Sequence, residues 1–156
     1  MAEEQGPLKL SLKKKERWRL AQKSEKIWWE KTIAGNNFAY FAAFAEGLAA
    51  DLRDIVPLDS RTRILEIGSG PAGILTHVKA GFRCGIDPLE PFFGHAGPCR
   101  AVRDLAVRYC AGQAEHLPFA ANSFNLIIMD NILDHCEDIE GVVVIAGGQT
   151  IVYFAE

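Results

Sequence analysis

Arg63-Ile64-Leu65-Glu66-Ile67-Gly68-Ser69-Gly70-Pro71-Ala72-Gly73 is the stretch whose reading decides the fold. Ile64, Leu65 and Ile67 form a continuous apolar run rich in β-branching, as expected of a strand covered on both faces. Gly68 and Gly70 permit a sharp turn and leave no side chain between the main-chain N–H groups and a ligand. Pro71 suits the first turn of a helix, where its missing N–H costs nothing. A strand, a bare turn and a helix start together form a place for the polar part of a nucleotide-like cofactor.

Gly68, Gly70 and Gly73 satisfy the G-x-G-x-x-G spacing of NAD and FAD domains, a weak signal by itself. Glu66 separates the readings. A carboxylate at the end of an apolar strand needs a partner, because burying it unpaired is expensive. A pyrophosphate would add negative charge beside it, whereas S-adenosylmethionine brings an ammonium and a sulfonium. The E-x-G-x-G run of Glu66, Gly68 and Gly70 resembles motif I of the class I S-adenosylmethionine-dependent methyltransferases.

Downstream, Phe82 to Asp87 reads as a second strand ending in a carboxylate, with a helix from Gly73 to Ala80 between the two strands. An acid at that tip can accept hydrogen bonds from ribose hydroxyls in NAD domains and methyltransferases alike. Asp87 can also be read as a turn residue before Pro88. Pro88 to Gly97 is turn-rich, Pro98 to Leu105 fits a helix, and Val107 to Cys110 a third strand. Gly112-Gln113-Ala114-Glu115-His116-Leu117-Pro118-Phe119, followed by Asn122 to Met129, resembles the G-D-A-E-x-L-P-F … S-F-D-x-V segment of small-molecule methyltransferases. Gln113 and Asn125 stand where that pattern has Asp. Nothing in a dinucleotide-binding domain requires this second segment.

The resemblance implies roles residue by residue. The turn of Gly68, Ser69 and Gly70 would hold the methionine part of S-adenosylmethionine or S-adenosylhomocysteine, with Glu66 on the ammonium side, directly or through water. Asp87 and Pro88 would lie at the ribose, and Gln113, Ala114 and Glu115 at the adenine. Asp130 and Asn131, after the fourth strand (Phe124 to Met129), would close the pocket near the sulfonium. His135 is a candidate general base, set against the reading that it only holds its loop. Methyl transfer from a sulfonium needs alignment more than acid–base help. His77, His95 and His116 form no metal-ligand set.

Upstream, Met1 to Leu12 reads as a loose lead-in, Lys13 to Ile33 as a helix and Phe38 to Ile55 as a second helix. Residues 1–34 carry nine Lys/Arg against five Asp/Glu, although the whole chain has a net charge of −3. The basic helix with Trp18, Trp28 and Trp29 fits either a polyanion-binding surface or a solvated face with packed tryptophans. The resemblance implies a third role, a lid, to which Trp18, Gln22, Glu25, Trp28 and Trp29 would contribute.

The 156 residues, 49% of them hydrophobic, are one domain in size. The negative net charge implies no general affinity for nucleic acid. The four cysteines, without a C-x-x-C pair or a signal peptide, read as reduced thiols of a cytoplasmic protein. No apolar run is long enough to span a membrane. Val142 to Ile145 and Thr150 to Phe154 read as a hairpin around Gly147-Gly148. Alternatively, Gly147 to Val152 is what remains of the family's lead into strand five.

The expected class is therefore α/β. It is a Rossmann-like, mostly parallel sheet with helices on both faces and N-terminal helices, incomplete beside the family's seven strands. Residues 1–60 form a helical lid segment and 61–156 a cofactor-binding core of one structural domain. An unpaired sheet edge would favour a homodimer. The expected activity is methyl transfer to a small-molecule acceptor. A non-catalytic cofactor-binding or partner protein and an NAD-dependent oxidoreductase domain are the alternatives.

Overall fold

A computed structural model describes residues 7–35, 38–120, 122–130, 132, 136 and 151–155. Five strands form one sheet: β1 (Arg63–Ile67), β2 (Phe82–Asp87), β3 (Arg108–Ala111), β4 (Leu126–Asp130) and β5 (Ile151–Ala155). Their order is β3-β2-β1-β4-β5, and every pairing is parallel. The chain thus runs outward from β1 to β3 and returns to place β4 on the other side of β1. The direction of winding reverses there, and ligands of open α/β sheets bind beyond the strand ends at such a point. Among the described residues β5 runs parallel to β4, as the strand-five reading requires. The other arm of the expected hairpin, 142–145, lies outside the described residues.

The register explains how scattered sequence positions reach one place. Ile67 is level with Ile86 and with Met129. One residue further on, Gly68, Asp87 and Asp130 therefore share a row at the C-terminal end of the sheet.

Alternation along β1 splits the core in two. Ile64 faces one side with Leu126 and Ile128, packed by α2 (Ala39–Asp51) through Ala45 and Leu48, and by Ile74 and Leu75. Leu65 and Ile67 face the other side with Ile86, Ile127 and Met129, covered by Ala114, Leu117, Phe119 and Phe124 of the 112–124 segment. Because α2 is part of the core, the overlying element of the N-terminal region is α1 (Pro7–Thr32). This helix starts before Lys13 and takes in half of the expected lead-in. α2 is shorter than expected, because Phe38 has a left-handed φ of 50° and the chain turns after Asp51.

The helix expected from Gly73 to Ala80 is only a 3-10 turn, Ile74–Thr76. Arg83 Nη1 donates to the carbonyls of Leu75 (2.7 Å) and Val78 (2.9 Å). In the expected helix the Leu75 carbonyl would have accepted from the N–H of Lys79, so Arg83 takes an acceptor that the short turn leaves open. The turn-rich 88–97 segment instead holds a short helix, α3 (Glu90–Phe93), and α4 (Gly97–Val102) ends earlier than expected.

Candidate active site

A cavity of about 560 Å³ opens above the C-terminal ends of β1, β2 and β4. Small-molecule sites typically enclose roughly 300–1,000 Å³. The cavity floor includes Gly68, Ser69, Gly70, Asp87 and Pro88, and one wall includes Gln113, Ala114 and Glu115. Asp130 and Ile132 stand at the β4 end. The roof is aromatic, with Trp18, Trp28 and Trp29 from α1 and Tyr40 and Phe41 from α2. Of the residues expected at a cofactor, nine line this cavity and Glu66 does not. Asn131 and His135 lie outside the described residues.

Glu66 alternates to the opposite face of β1 from Leu65 and Ile67. Its carboxylate accepts from the backbone N–H groups of Ile74 (3.0 Å) and Leu75 (3.4 Å). It is 3% exposed and sits against Gly73, where φ is +67° and an added Cβ would collide with its Oε2. Burial raises its pKa to about 8 despite the two N–H donors, and the charges of Asp130 and Asp87 add to the rise. Glu66 thus ties β1 to the turn after the glycines and occupies the N–H groups at which an anion would bind.

The glycine turn is closed in a comparable way. Gly68 N–H (2.8 Å) and Ser69 N–H (3.3 Å) donate to the Ile86 carbonyl, and Gly70 N–H donates to Asp87 Oδ2 at 2.9 Å. The other Asp87 oxygen accepts from Leu89 N–H at 2.7 Å. Gly68 must be glycine, since φ is +75° and a Cβ would run into the Ile132 side chain. These N–H groups are therefore spent within the protein, which leaves carbonyl oxygens as what the turn offers a ligand. Ser69 Oγ is buried without a partner among the described residues.

Asp87 has its pKa raised, by burial first and then by the charges of Glu90 and Glu25, against the two N–H bonds that favour its ionised form. Asp130 Oδ2 accepts from the Tyr40 hydroxyl at 2.9 Å, linking α2 to the end of β4. Burial, and then this bond, raise the Tyr40 pKa to about 12.

Two contributors were not foreseen. Arg103 grips the turn from outside the cavity: its Nε donates to the Pro71 carbonyl (2.8 Å), and Nη1 and Nη2 reach Glu90 at 2.9 and 2.7 Å. Its guanidinium stacks 3.9 Å from the Tyr109 ring, and the Tyr109 hydroxyl donates to the Ala72 carbonyl. The other is Tyr40. A lone Arg after a helix and a lone Tyr in an apolar helix carry no motif, so neither could be picked out before the fold was known. Of the aromatics expected in a lid, Trp29 meets Phe93 edge-to-face at 5.7 Å and Trp28 at 4.6 Å. Aromatic pairs prefer this arrangement to a face-to-face sandwich.

Comparison with known proteins agrees with this geometry. The profile of the Methyltransferase domain family matches residues 65–144. No curated protein matches the chain in sequence. Among solved structures, a putative S-adenosyl-L-methionine-dependent methyltransferase from Methanococcus maripaludis is similar at a TM-score of 0.60 and 15% identity, over 99% of this chain and 66% of its own. An S-adenosylmethionine-dependent methyltransferase from Mesorhizobium loti matches at 0.52 and 22%, over 70% and 54%. The methyltransferase CalH, solved in complex with SAH, matches at 0.50 and 18%, over 61% and 32%. The chain thus spans between about a third and two thirds of the length of these structures. At these identities the likeness speaks for the fold. The family match covers the glycine turn, Asp87, the 112–124 segment and Asp130, and the chain belongs to the Methyltransferase domain family, as a class I S-adenosylmethionine-dependent methyltransferase domain.

Proposed function

We propose that this chain binds S-adenosylmethionine in the cavity above β1 and β4 and transfers its methyl group to a small-molecule acceptor. The observation that carries the reading is the use of the N–H groups in the glycine turn. Those of Gly68, Ser69 and Gly70 are taken by the Ile86 carbonyl and Asp87, and those of Ile74 and Leu75 by Glu66. A pyrophosphate needs such donors and a helix start, and both are occupied. Carbonyl oxygens suit an ammonium instead. The acidic lining fits the same group.

In this reading the turn holds the methionine part, Asp87 with Pro88 meets the ribose, and Gln113, Ala114 and Glu115 flank the adenine. Asp130 stands near the sulfonium, which supplies an activated methyl group when the cofactor is bound. Glu66 acts from behind by fixing the turn, rather than as a direct ligand. The aromatic roof of α1 and α2 covers the cavity and presses the acceptor toward the methyl group. That alignment is the main requirement of the transfer.

Calorimetric titration with S-adenosylhomocysteine, with NAD as the control, tests the proposal. Micromolar binding of the first and none of the second is expected. Binding of NAD alone would replace methyl transfer with the oxidoreductase reading. Binding of S-adenosylhomocysteine without turnover of any acceptor would favour a non-catalytic cofactor binder.

A further inference from the structure

Trp28 and Tyr40 come from different helices, line the same cavity and are 54% and 59% exposed. The other aromatics of the roof are less open: Trp18, Trp29 and Phe41 are half-buried and Phe38 is buried. Both exposed rings are held from behind. Trp28 meets Trp29 edge-to-face, and Trp29 in turn packs on Phe93 of α3. Tyr40 lies nearly parallel to Phe44, at 22° and 6.1 Å between ring centres, and its hydroxyl donates to Asp130. The two rings are therefore ordered before a ligand arrives, which lowers the cost of binding against them. The bond to Asp130 also sets the Tyr40 ring at the end of β4, beside the place that the methyl-transfer reading gives to the sulfonium.

Resting on that reading, we infer that the acceptor is a flat, uncharged aromatic molecule that stacks on Trp28 and Tyr40 at the open side of the cavity. Aromatic pairs gain more than the burial of equal apolar area, because their quadrupoles align in offset or edge-to-face contacts. Charge works against the other classes. An anionic acceptor would enter an acidic lining in which no Lys, Arg or His among the described residues supplies a counter-ion. A cationic acceptor would share the cavity with the sulfonium of the cofactor, a like charge in a partly desolvated site. A neutral ring meets neither cost.

The transfer balances without a further reagent. The nucleophilic atom carried by the ring forms its bond to the methyl carbon while sulfur keeps the electrons of the broken S–CH3 bond. The proton displaced from that atom leaves to water.

Three probes of similar size test the inference: 4-methylphenol, 4-methylcyclohexanol and 4-methylbenzoate. Each is titrated into isotope-labelled protein saturated with S-adenosylhomocysteine, and the amide and indole NMR signals report weak as well as tight binding. 4-Methylphenol should bind about tenfold more tightly than 4-methylcyclohexanol, and 4-methylbenzoate should not bind. The indole signal that disappears in Trp28→Leu should be the tryptophan signal that 4-methylphenol moves most. Trp28→Leu and Tyr40→Leu should each reduce the preference to about threefold or less, whereas Tyr40→Phe should keep it. Circular dichroism and S-adenosylhomocysteine affinity serve as folding controls. Equal or tighter binding of the cyclohexanol or the benzoate, no binding of the phenol, or an undiminished preference in both leucine variants would overturn the inference. Failure of S-adenosylhomocysteine to bind at all would instead remove the methyl-transfer reading on which it rests.

Discussion

Glu66 at the end of β1 and Ile74, eight residues later, are joined by a 3.0 Å hydrogen bond from backbone N–H to carboxylate. The bond spans the whole glycine turn, so the shape of that turn depends on a buried acid. Its pKa of about 8, against an ordinary 4.5, means that the folded state holds the proton more tightly than the unfolded state. The stabilisation from this group is therefore complete below pH 4.5 and is lost as pH rises through 8. Chemical denaturation across this window should show stability falling by up to about 1.4 kcal/mol per pH unit. Glu66→Gln should flatten that slope, and an unchanged slope in the variant would assign the pH dependence elsewhere.

Arg103 and Glu90 are 8% and 14% exposed and meet through two contacts. Arg103→Met should destabilise by about 3–5 kcal/mol, because it strands a buried carboxylate. Arg103→Lys should recover less than half of that loss, since an ammonium cannot fork to Glu90, reach the Pro71 carbonyl and stack on Tyr109 at once. Urea denaturation of the two variants checks the order, and full rescue by Lys would show that charge alone is needed.

Much of the frame could be read directly, and physical reasons explain the remainder. The strands β1, β2 and β4 announce themselves as short β-branched runs, and the turn after β1 by its glycines. Asp87 and Gln113 could be placed because a strand end and a motif position coincide. The role of Glu66 could not. That it belongs near the turn follows from charge, but whether it faces the cavity depends on strand alternation and on Gly73 leaving space behind the sheet. The short 3-10 turn in place of a helix depends on Arg83, which approaches Leu75 and Val78 only once β2 is paired with β1. The Tyr40–Asp130 contact joins residues ninety positions apart. No local pattern encodes such a pairing.

Asp87 accepts Gly70 N–H on one oxygen and Leu89 N–H on the other. Lone pairs remain on both oxygens, and on the proposed reading they accept from the ribose hydroxyls. Asp87→Asn would turn one acceptor into an NH2 group facing a donor. Affinity for S-adenosylhomocysteine should fall about tenfold or more, together with a loss of about 1–3 kcal/mol in stability from an unsatisfied N–H. Calorimetry and denaturation on the same variant separate the two effects. Lost stability with retained affinity would make Asp87 a turn residue only.

The hydrogen bond from Tyr40 to Asp130 crosses the cavity from α2 to β4 at 2.9 Å, yet Tyr40 is 59% exposed. A bond in so open a place adds little to global stability, about 0.5–1.5 kcal/mol at most. Its position matters more, because it ties the roof to the strand end beside Gly68. Tyr40→Phe keeps the ring that stacks on Phe44 and removes only the tie. The thermal midpoint should therefore move little, while S-adenosylhomocysteine dissociates several-fold faster as the roof opens more readily. Stopped-flow tryptophan fluorescence would follow the release, since Trp28 and Trp29 line the same cavity. A dissociation rate equal to the wild type would show that the α1–α2 roof is held by its aromatic packing alone. A large drop in the midpoint would instead make Tyr40 part of the fold's support.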